Sequence, residues 1–470
     1  MTFDFLTAVK SVLAAHDLLL EPSDMAAYVQ DWRHLFHGKA LAVCLPRTTL
    51  QVSAIVRLCA EHAVAIVPQG GNTGLAGGAT PDLSGRSIVM SLARMNQIRH
   101  IDRIGLTVVA EAGVIIDHLR QELADEGRDL PISFGATGSA TVGGVISTNA
   151  GGANVLRAGM TGRMVIGLEV VLADGSVISQ LSGLHKDNSG LNWPQVFVGA
   201  EGVLGIITAA VLRISPLPRS TSTALLAVAD PEIALSVYGL AVDQLGECLS
   251  TFEIISAAAA KRARDKLGVL MPIDAEGWLV LIEATSTSVR LDDDFSAFIE
   301  HIFTEGLCAD GTLAASETQR NAIWKLRESL TEAESLCGPS VKHDISVPVT
   351  SIPAFLRQGN AVLAKVAAAT GADLSSHVFG HIGDGNLHYN ILIDRPDLAA
   401  PLITAVHDLV ISFGGSITAE HGVGQYRLKE ARRLLPPAQL ALQRRLKAVL
   451  DPTGLLNPGK LVPSPLETDT

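Results

Sequence analysis

The sequence predicts an α+β protein of two successive domains and a C-terminal segment, and three observations carry that prediction. Glycine-rich loops recur through the first half, between short apolar runs and amphipathic stretches. The proline-rich stretch Ser215-Pro216-Leu217-Pro218-Arg219-Ser220 then punctuates the chain. Beyond it a β/α alternation starts afresh, the pattern of an antiparallel sheet with helices on one face. The expected bounds are 1–217, 218–400 and 401–470.

Taken in order, Thr48 and Thr49 can cap an amphipathic helix (Leu50, Ile55, Val56, Leu58, Cys59) that leads into the apolar run Val64–Val67. Pro68-Gln69-Gly70-Gly71-Asn72-Thr73-Gly74-Leu75-Ala76-Gly77-Gly78 follows. Glycines bring backbone amides close to an anion without any basic side chain, so this loop reads as a pyrophosphate nest; a plain surface loop is the competing reading. No GxGxxG opens a helix here, which argues against an NAD-type site. Two further glycine blocks come later, Gly135-Ala136-Thr137-Gly138 with Thr141–Gly152, and Phe197–Thr208. Between them, Leu168–Leu172 and Ser176–Ile178 flank Ala173-Asp174-Gly175, a hairpin signal.

In the second domain a strand at Ala224–Val228 precedes a helix near Pro231–Leu245, then a strand at Thr251–Ile255, a helix at Ala257–Leu267 and a strand at Trp278–Ile282. A long helix is expected from Glu317 to about Leu336, a strand at Val341–Val347 and a helix after Ser351. The last part holds a helix before Gly414, the loop Thr418–Gly424, a helix at Pro437–Leu450 and the tail Asn457-Pro458-Gly459-Lys460.

Composition narrows the function. With 470 residues the chain can bury a large core, and 47% hydrophobic with 4% aromatic residues reads as an aliphatic-rich enzyme. A net charge of −12 with no basic stripe excludes non-specific nucleic-acid binding. The five cysteines (Cys44, Cys59, Cys248, Cys308, Cys337) are scattered and lack a CxxC pair, which fits free thiols in a reducing compartment. The start Met1-Thr2-Phe3-Asp4-Phe5-Leu6 has neither a signal-peptide core nor an Arg-rich transit pattern. No apolar run reaches the ~20 residues of a membrane-spanning helix, so a soluble, cytoplasmic protein is expected.

Two histidines, His381 and His388, flank a Gly383-Asp384-Gly385 turn. On one strand their odd spacing would separate them onto opposite faces, but the turn lets the chain double back so that both imidazoles meet. A hydrogen-bonding pair is the bland reading. Glu420-His421-Gly422-Val423-Gly424 brings a carboxylate and another imidazole, and two histidines plus a carboxylate suit zinc with an open position, or Mn or Fe(II). Glu420 and His421 would point oppositely on a strand, so they can act together only where the backbone bends. Arg327 and Thr331 share one face of the long helix, and Lys342 lies on the strand after it. Judged alone, Arg327 is a solvated helix charge.

These three glycine blocks, in this order, resemble the FAD-binding half of the vanillyl-alcohol oxidase/p-cresol methylhydroxylase flavoproteins. The motifs His381-Ile382-Gly383-Asp384-Gly385-Asn386-Leu387-His388 and Ala419-Glu420-His421-Gly422-Val423-Gly424 narrow the likeness to the D-2-hydroxyglutarate dehydrogenases and their D-2-hydroxyacid relatives. The resemblance covers nearly the whole chain. It implies a PCMH-type FAD-binding domain, a substrate or cap domain, and a C-terminal segment returning to the flavin. It also implies metal ligands at His381, His388 and Glu420, His421 as the base, and Asn386, Arg327, Thr331 and Lys342 at the substrate. For FAD it implies Pro68, Gly70, Gly71, Asn72, Thr73, Gly74, Gly78, Thr137, Gly138, Thr141, Gly143, Gly144, Asn149, Gly152, Glu201, Gly202, Ile206, Asn457 and Lys460, with Glu201, Gly202 and Ile206 toward the adenosine half. Relatives commonly carry Ser at Ala200 and Thr at Val203. The first glycine loop has no His or Cys for a covalent link, so non-covalent FAD is expected.

The implied reaction is oxidation of D-2-hydroxyglutarate to 2-oxoglutarate, with D-malate a second substrate and hydride passing to flavin N5. The implied metal is zinc, and an Arg fork with a Lys suits a second carboxylate. Electron-transfer flavoprotein or a quinone is the expected acceptor, and a homodimer the expected assembly. Competing expectations are a D-lactate or glycolate dehydrogenase of the same fold, a metal-dependent hydrolase (which would be colourless), and a non-catalytic flavin-binding subunit.

Overall fold

A computed structural model describes residues 2–273 and 276–463. The chain divides into two compact units. One holds the residues up to Gly152, then Gly159–Pro216, and those from Glu420 onward; the other holds Ala153–Ala158 and Leu217–Ala419. Residues 401–419, expected in the C-terminal segment, therefore pack with the second unit.

In the first unit, Val43–Cys44, Ser87–Ser91 and Ala65–Gln69 run parallel in that order, with Leu18–Leu19 antiparallel at the edge. Parallel strands need a crossover, and the helix Thr49–His62 supplies it. Thr48 Oγ1 accepts from the Gln51 amide at 3.2 Å, and Ala63 in the left-handed region (φ 53°) closes the helix. Val52, Ile55, Val56 and Cys59 form its buried face, against Phe5, Ile66 and Ile88. Cys44 and Cys59 are wholly buried in this core, and burial pushes the Cys44 thiol up to about 12. All five cysteines are free. A second sheet is antiparallel, ordered Ile98–Asp102, Thr107–Glu111, Ile206–Arg213, Val165–Val171 and Val177–Ser179. Its last hairpin turns at Ala173-Asp174-Gly175, where Asp174 Oδ1 accepts from the Ser176 amide at 2.8 Å and Gly175 has φ 79°.

The second unit is one antiparallel sheet ordered Asp310–Leu313, Ser220–Val228, Trp278–Ser286, Leu249–Ser256, Leu374–His381, Asn386–Ile393 and Ser340–Val341. Asp344–Ser346 pairs with Asn386–Ile393 as well. The expected continuous strand at Val341–Val347 is thus two pieces, because the His343 amide donates to the Asn390 side chain (3.0 Å). Helices cover both faces of the sheet, not one. Leu225, Ile255, Leu281 and Phe379 pack with Ala259, Leu326 and Leu330 of the helices Ala257–Leu267 and Glu317–Ser335. On the other side Phe252 meets Tyr238 of the helix Pro231–Leu245, ring centroids 5.1 Å apart. The strand alternation requires this, since residues such as 252 and 255 face opposite ways and both are apolar.

The helix Glu317–Ser335 is capped by Ser316, which accepts from the Gln319 amide at 3.3 Å. It is fastened to the sheet at Glu283. That buried carboxylate accepts from Thr223 (2.7 Å), from Arg320 Nε and Nη2 (2.7 and 2.9 Å) and from Trp324 Nε1 (2.8 Å). No helix among the described residues is long and apolar enough to cross a membrane.

Candidate functional site

The chemistry of the second unit gathers on one hairpin. Leu374–His381 and Asn386–Ile393 pair antiparallel with Phe379 opposite His388, and Gly385 (φ 85°) makes the turn. A Cβ on Gly385 would lie 2.3 Å from the Val347 carbonyl oxygen, so only glycine fits. The turn brings the two histidines together as the sequence required. Their rings are 6.2 Å apart by centroid, and ligand nitrogens lie within 4.8 Å of one another. Asp344 sits opposite His388 in register. Asn386 donates to Asp344 Oδ1 (2.9 Å) and to the Ile345 carbonyl (3.0 Å). Its own buried Oδ1 has no partner among the described residues.

Glu253, which sequence reasoning missed, is the centre of this site. It lies on Leu249–Ser256 in register opposite His381, so both side chains project on the same face. The carboxylate is fully buried. Its Oε1 pairs with His381 Nδ1, and its Oε2 accepts from Arg327 Nε at 2.6 Å. Burial pushes this carboxyl up, but Arg327 and then His381 outweigh it and hold it well below the usual carboxylate range. Arg327 is no solvated helix charge: it is 13% exposed and stacks over the Phe379 ring at 4.7 Å. Among the described residues only its Nε donates a hydrogen bond; the two terminal nitrogens are unspent. The one signal in the sequence was a lone carboxylate inside the apolar run Thr251–Ile255.

Lys342 has a similar counter-charge. Its Nζ lies 3.7 Å from Oε2 of the buried Glu334, which also accepts from Asn390 Nδ2 at 2.6 Å. Thr331 is exposed on the helix one turn beyond Arg327.

The chain leaves the second unit through Ser416–Ala419. Ser416 bridges to Ser346, and the Ala419 amide donates to the Asp344 carbonyl at 3.2 Å. Glu420 is the next residue in the chain and opens the last segment of the first unit. Glu420 and His421 fall in bends, not in a strand, and their ligand atoms lie within 4.8 Å of one another. The bend that their joint action needed is present. Gly422 (φ 73°) and Gly424 (φ 51°) follow it.

In the first unit the three glycine blocks converge. A Cβ on Gly70 would come 2.4 Å from Thr141 Oγ1, and one on Gly71 would come 1.8 Å from the Ser139 carbonyl oxygen. The first loop therefore lies directly on the second block. Its amides from Gly71 to Leu75 make no hydrogen bond to protein acceptors among the described residues. Asn72 is left-handed (φ 52°), and its side chain donates to the Gln30 carbonyl at 2.8 Å. Gly74 is open on its Cβ side, as is Gly135, and Gly138 meets only Asp117 at 3.5 Å. Thr137 is buried.

The helix Val142–Thr148 behaves differently. Thr141 caps it, and the amides of Val142, Gly143 and Gly144 go to Val114, Ala112 and Thr141 Oγ1. Its N-terminus is thus spent within the protein. Gly143 is needed for packing, since a Cβ there would sit 2.7 Å from Ala112 Cβ. Asn149 Oδ1 accepts from the Gly162 amide (2.8 Å), and Gly152 packs on the Ser133 carbonyl. In the third block Ile206 is buried in the core and Gly202 lies against Pro68.

Glu201 does something the sequence did not foretell. Its two oxygens accept from the amides of Val423 and Gly424, each at 2.8 Å, pinning the loop that follows His421. Burial raises this carboxyl to about 7, although the two amides and Lys460 pull it down. Asn457 closes the arrangement by donating to the Gly78 and Glu201 carbonyls (2.9 and 2.8 Å), and its buried Oδ1 has no partner among the described residues. Lys460 is 3% exposed and its ammonium is pushed down by burial.

Residues 217–461 match the family described as FAD linked oxidases, C-terminal domain, and residues 40–180 match the FAD binding domain. The mitochondrial D-2-hydroxyglutarate dehydrogenase of Bos taurus is 36% identical over 466 residues, covering 98% of this chain and 84% of that protein. The D-2-hydroxyglutarate dehydrogenase of Stutzerimonas stutzeri is 34% identical, covering 96% of this chain and 97% of that protein. The solved structure of p-cresol methylhydroxylase with substrate bound superimposes with a TM-score of 0.76 at 16% identity, covering 100% of this chain and 98% of that one, so the fold is shared. With both domain families matched in order and relatives alike from end to end, the chain belongs to the FAD-linked oxidases, in their D-2-hydroxyglutarate dehydrogenase group, and is an FAD-dependent oxidoreductase.

Proposed function

We propose that this protein is an FAD- and divalent-metal-dependent dehydrogenase that oxidises D-2-hydroxyglutarate to 2-oxoglutarate, with D-malate a second substrate. The carrying observation is Arg327. Its Nε is fixed by Glu253 and its face by Phe379, while the terminal nitrogens stay available for a bidentate carboxylate. Lys342 and the exposed Thr331 are assigned to the same substrate, and Asn386 offers an unpaired Oδ1. A monocarboxylate would leave such a fork unused, which favours the dicarboxylic acid over lactate or glycolate.

The first unit is assigned to FAD and the second to the substrate. The residues fit the flavin: the amides of Gly71 to Leu75 await an acceptor, and side chains at Gly70 and Gly71 are sterically barred. Pro68, Asn72, Thr73, Gly74, Gly78, Gly138, Asn457 and Lys460 are retained as its neighbours. When bound non-covalently, FAD supplies the acceptor for the hydride that leaves C2. Two imidazoles and a carboxylate are also the donor set of a zinc site with an open position, so His381, His388 and Glu420 are assigned as ligands. The ion, when bound, supplies Lewis-acid polarisation of the hydroxyl and its adjacent carboxylate. His421 then takes the proton from the C2 hydroxyl oxygen as general base, and Arg327 with Lys342 holds the distal carboxylate in place. We assign re-oxidation to electron-transfer flavoprotein, with a quinone as the alternative, and place a homodimeric enzyme in the cytoplasm.

Anaerobic titration of the purified, metal-loaded protein, read at the flavin band, tests this. D-2-hydroxyglutarate and D-malate should bleach the flavin and D-lactate should not. A chelator should abolish bleaching, and His421→Ala should slow it by about 10²–10⁴-fold. Bleaching by lactate in preference to the dicarboxylates, or bleaching untouched by chelator, would defeat the corresponding part of the proposal.

A further inference from the structure

Two functional side chains of the second unit, a proposed metal ligand and a proposed substrate reader, hang on one carboxylate. Glu253 is buried between the helix Glu317–Ser335 and its own sheet, and it has two partners. His381 Nδ1 meets Oε1, and Arg327 Nε meets Oε2 at 2.6 Å. We propose that Glu253 is a positioning residue that couples the metal site to the reader of the distal carboxylate. This rests on the dicarboxylate and metal reading above.

The geometry supplies both halves. A carboxylate facing Nδ1 accepts a hydrogen bond from it, so the imidazole carries its hydrogen on Nδ1 and keeps Nε2 as the lone pair for an ion. The same carboxylate takes only Nε of Arg327 and leaves the Nη edge of the guanidinium for the ligand. Arg320 on the same helix shows the contrasting use. It commits Nε and Nη2 together to Glu283, and that carboxylate is saturated by Thr223 and Trp324. Glu283 fastens the helix; Glu253 aims two side chains. Because both aims share one buried group, a change at Glu253 reaches both the ion and the far carboxylate of the substrate.

Glu253→Gln separates these roles without changing volume. The amide replaces one of the two carboxylate oxygens with an NH2 donor, so of the two donors that face separate oxygens one must meet an N–H instead of an acceptor. With the flavin-loaded protein, metal affinity is measured by competition with a chromophoric chelator in the absence of substrate. Dicarboxylate affinity is measured by titrating 2-oxoglutarate against the flavin spectrum. We expect about 10–100-fold weaker metal binding, or a loss of that size in 2-oxoglutarate binding, with flavin retained; Glu253→Ala should show both. Glu283→Gln is the control for simple loosening of the helix and should lower thermal stability while leaving metal affinity within twofold. Folded Glu253→Gln protein with both affinities within twofold of the parent would overturn the proposal, as would an equal loss in Glu283→Gln. A parent protein that binds no metal, or whose 2-oxoglutarate affinity ignores Arg327→Ala, would instead refute the underlying functional reading.

Discussion

Each unit of this molecule buries a glutamate that holds its functional segments, Glu201 and Glu253, and the two are driven in opposite directions. Glu201 in the first unit meets two backbone amides, and burial wins: its carboxyl rises to about 7. Glu253 in the second is more deeply buried, yet a guanidinium and an imidazole hold it well below the usual range. Dipoles soften the cost of a buried charge, whereas a full opposite charge at contact distance reverses it. The difference also matches what each group holds. Glu201 fixes backbone, the loop Gly422–Gly424, and Glu253 fixes two side chains, those of Arg327 and His381.

The largest effect should come from breaking the charged member. Glu253→Ala leaves Arg327 and His381 in a dry site without their counter-charge and should cost about 3–5 kcal/mol in urea unfolding. A loss under about 1 kcal/mol would mean that the carboxylate is not the hub described.

Next is the pH dependence, where the two sites should slope oppositely. The raised Glu201 carboxyl favours the folded state while it is protonated. Its contribution is whole below about 4.5 and is lost as pH rises through about 7, so the parent should fall relative to Glu201→Gln by up to about 3 kcal/mol. The depressed Glu253 carboxyl contributes above about 4.5 and loses that contribution as pH falls into the acid range. Unfolding midpoints of the parent and both Gln variants from about pH 2 to 8 measure this, the Glu253 slope below about 4.5 and the Glu201 slope above it. Parallel curves for parent and Glu201→Gln would remove the distinction.

The smallest effect is expected at Asn457, whose amide holds the Gly78 and Glu201 carbonyls and so steadies the same block as Glu201. Asn457→Ala should lower stability by about 2 kcal/mol, two ordinary hydrogen bonds, measured on flavin-loaded protein. If it instead matched Glu253→Ala, neutral contacts would be as weighty here as charged ones.

Much of the second unit was legible because local chemistry punctuates it. The helices Pro231–Leu245 and Ala257–Leu267 match their expected bounds, since Asp230 and Ser256 cap them and glycines end them. The histidine hairpin was readable from its glycine turn alone. What escaped were long-range carboxylates: Glu253, Glu283 and Glu334 pair with residues 74, 37 and 56 positions away, and no local pattern announces such partners. Placing helices on one face failed for a related reason. The strands are apolar on both sides, a feature of the finished sheet that shows weakly in any short window. In the first unit the glycines were recognised, but not their division of labour. Gly143 is a packing residue against Ala112, while the amides of Gly71 to Leu75 are the ones left open.

The placing of the cysteines carries a practical consequence. Cys44 and Cys59 are sealed in the first unit's core, whereas Cys248, Cys308 and Cys337 are partly accessible in the second. A thiol-reactive dye applied to the native protein would therefore mark the second unit and spare the first. Labelling at Cys44 and Cys59 would then report the opening of the flavin-binding half by itself, giving the enzyme an intrinsic clock for the loss of that core.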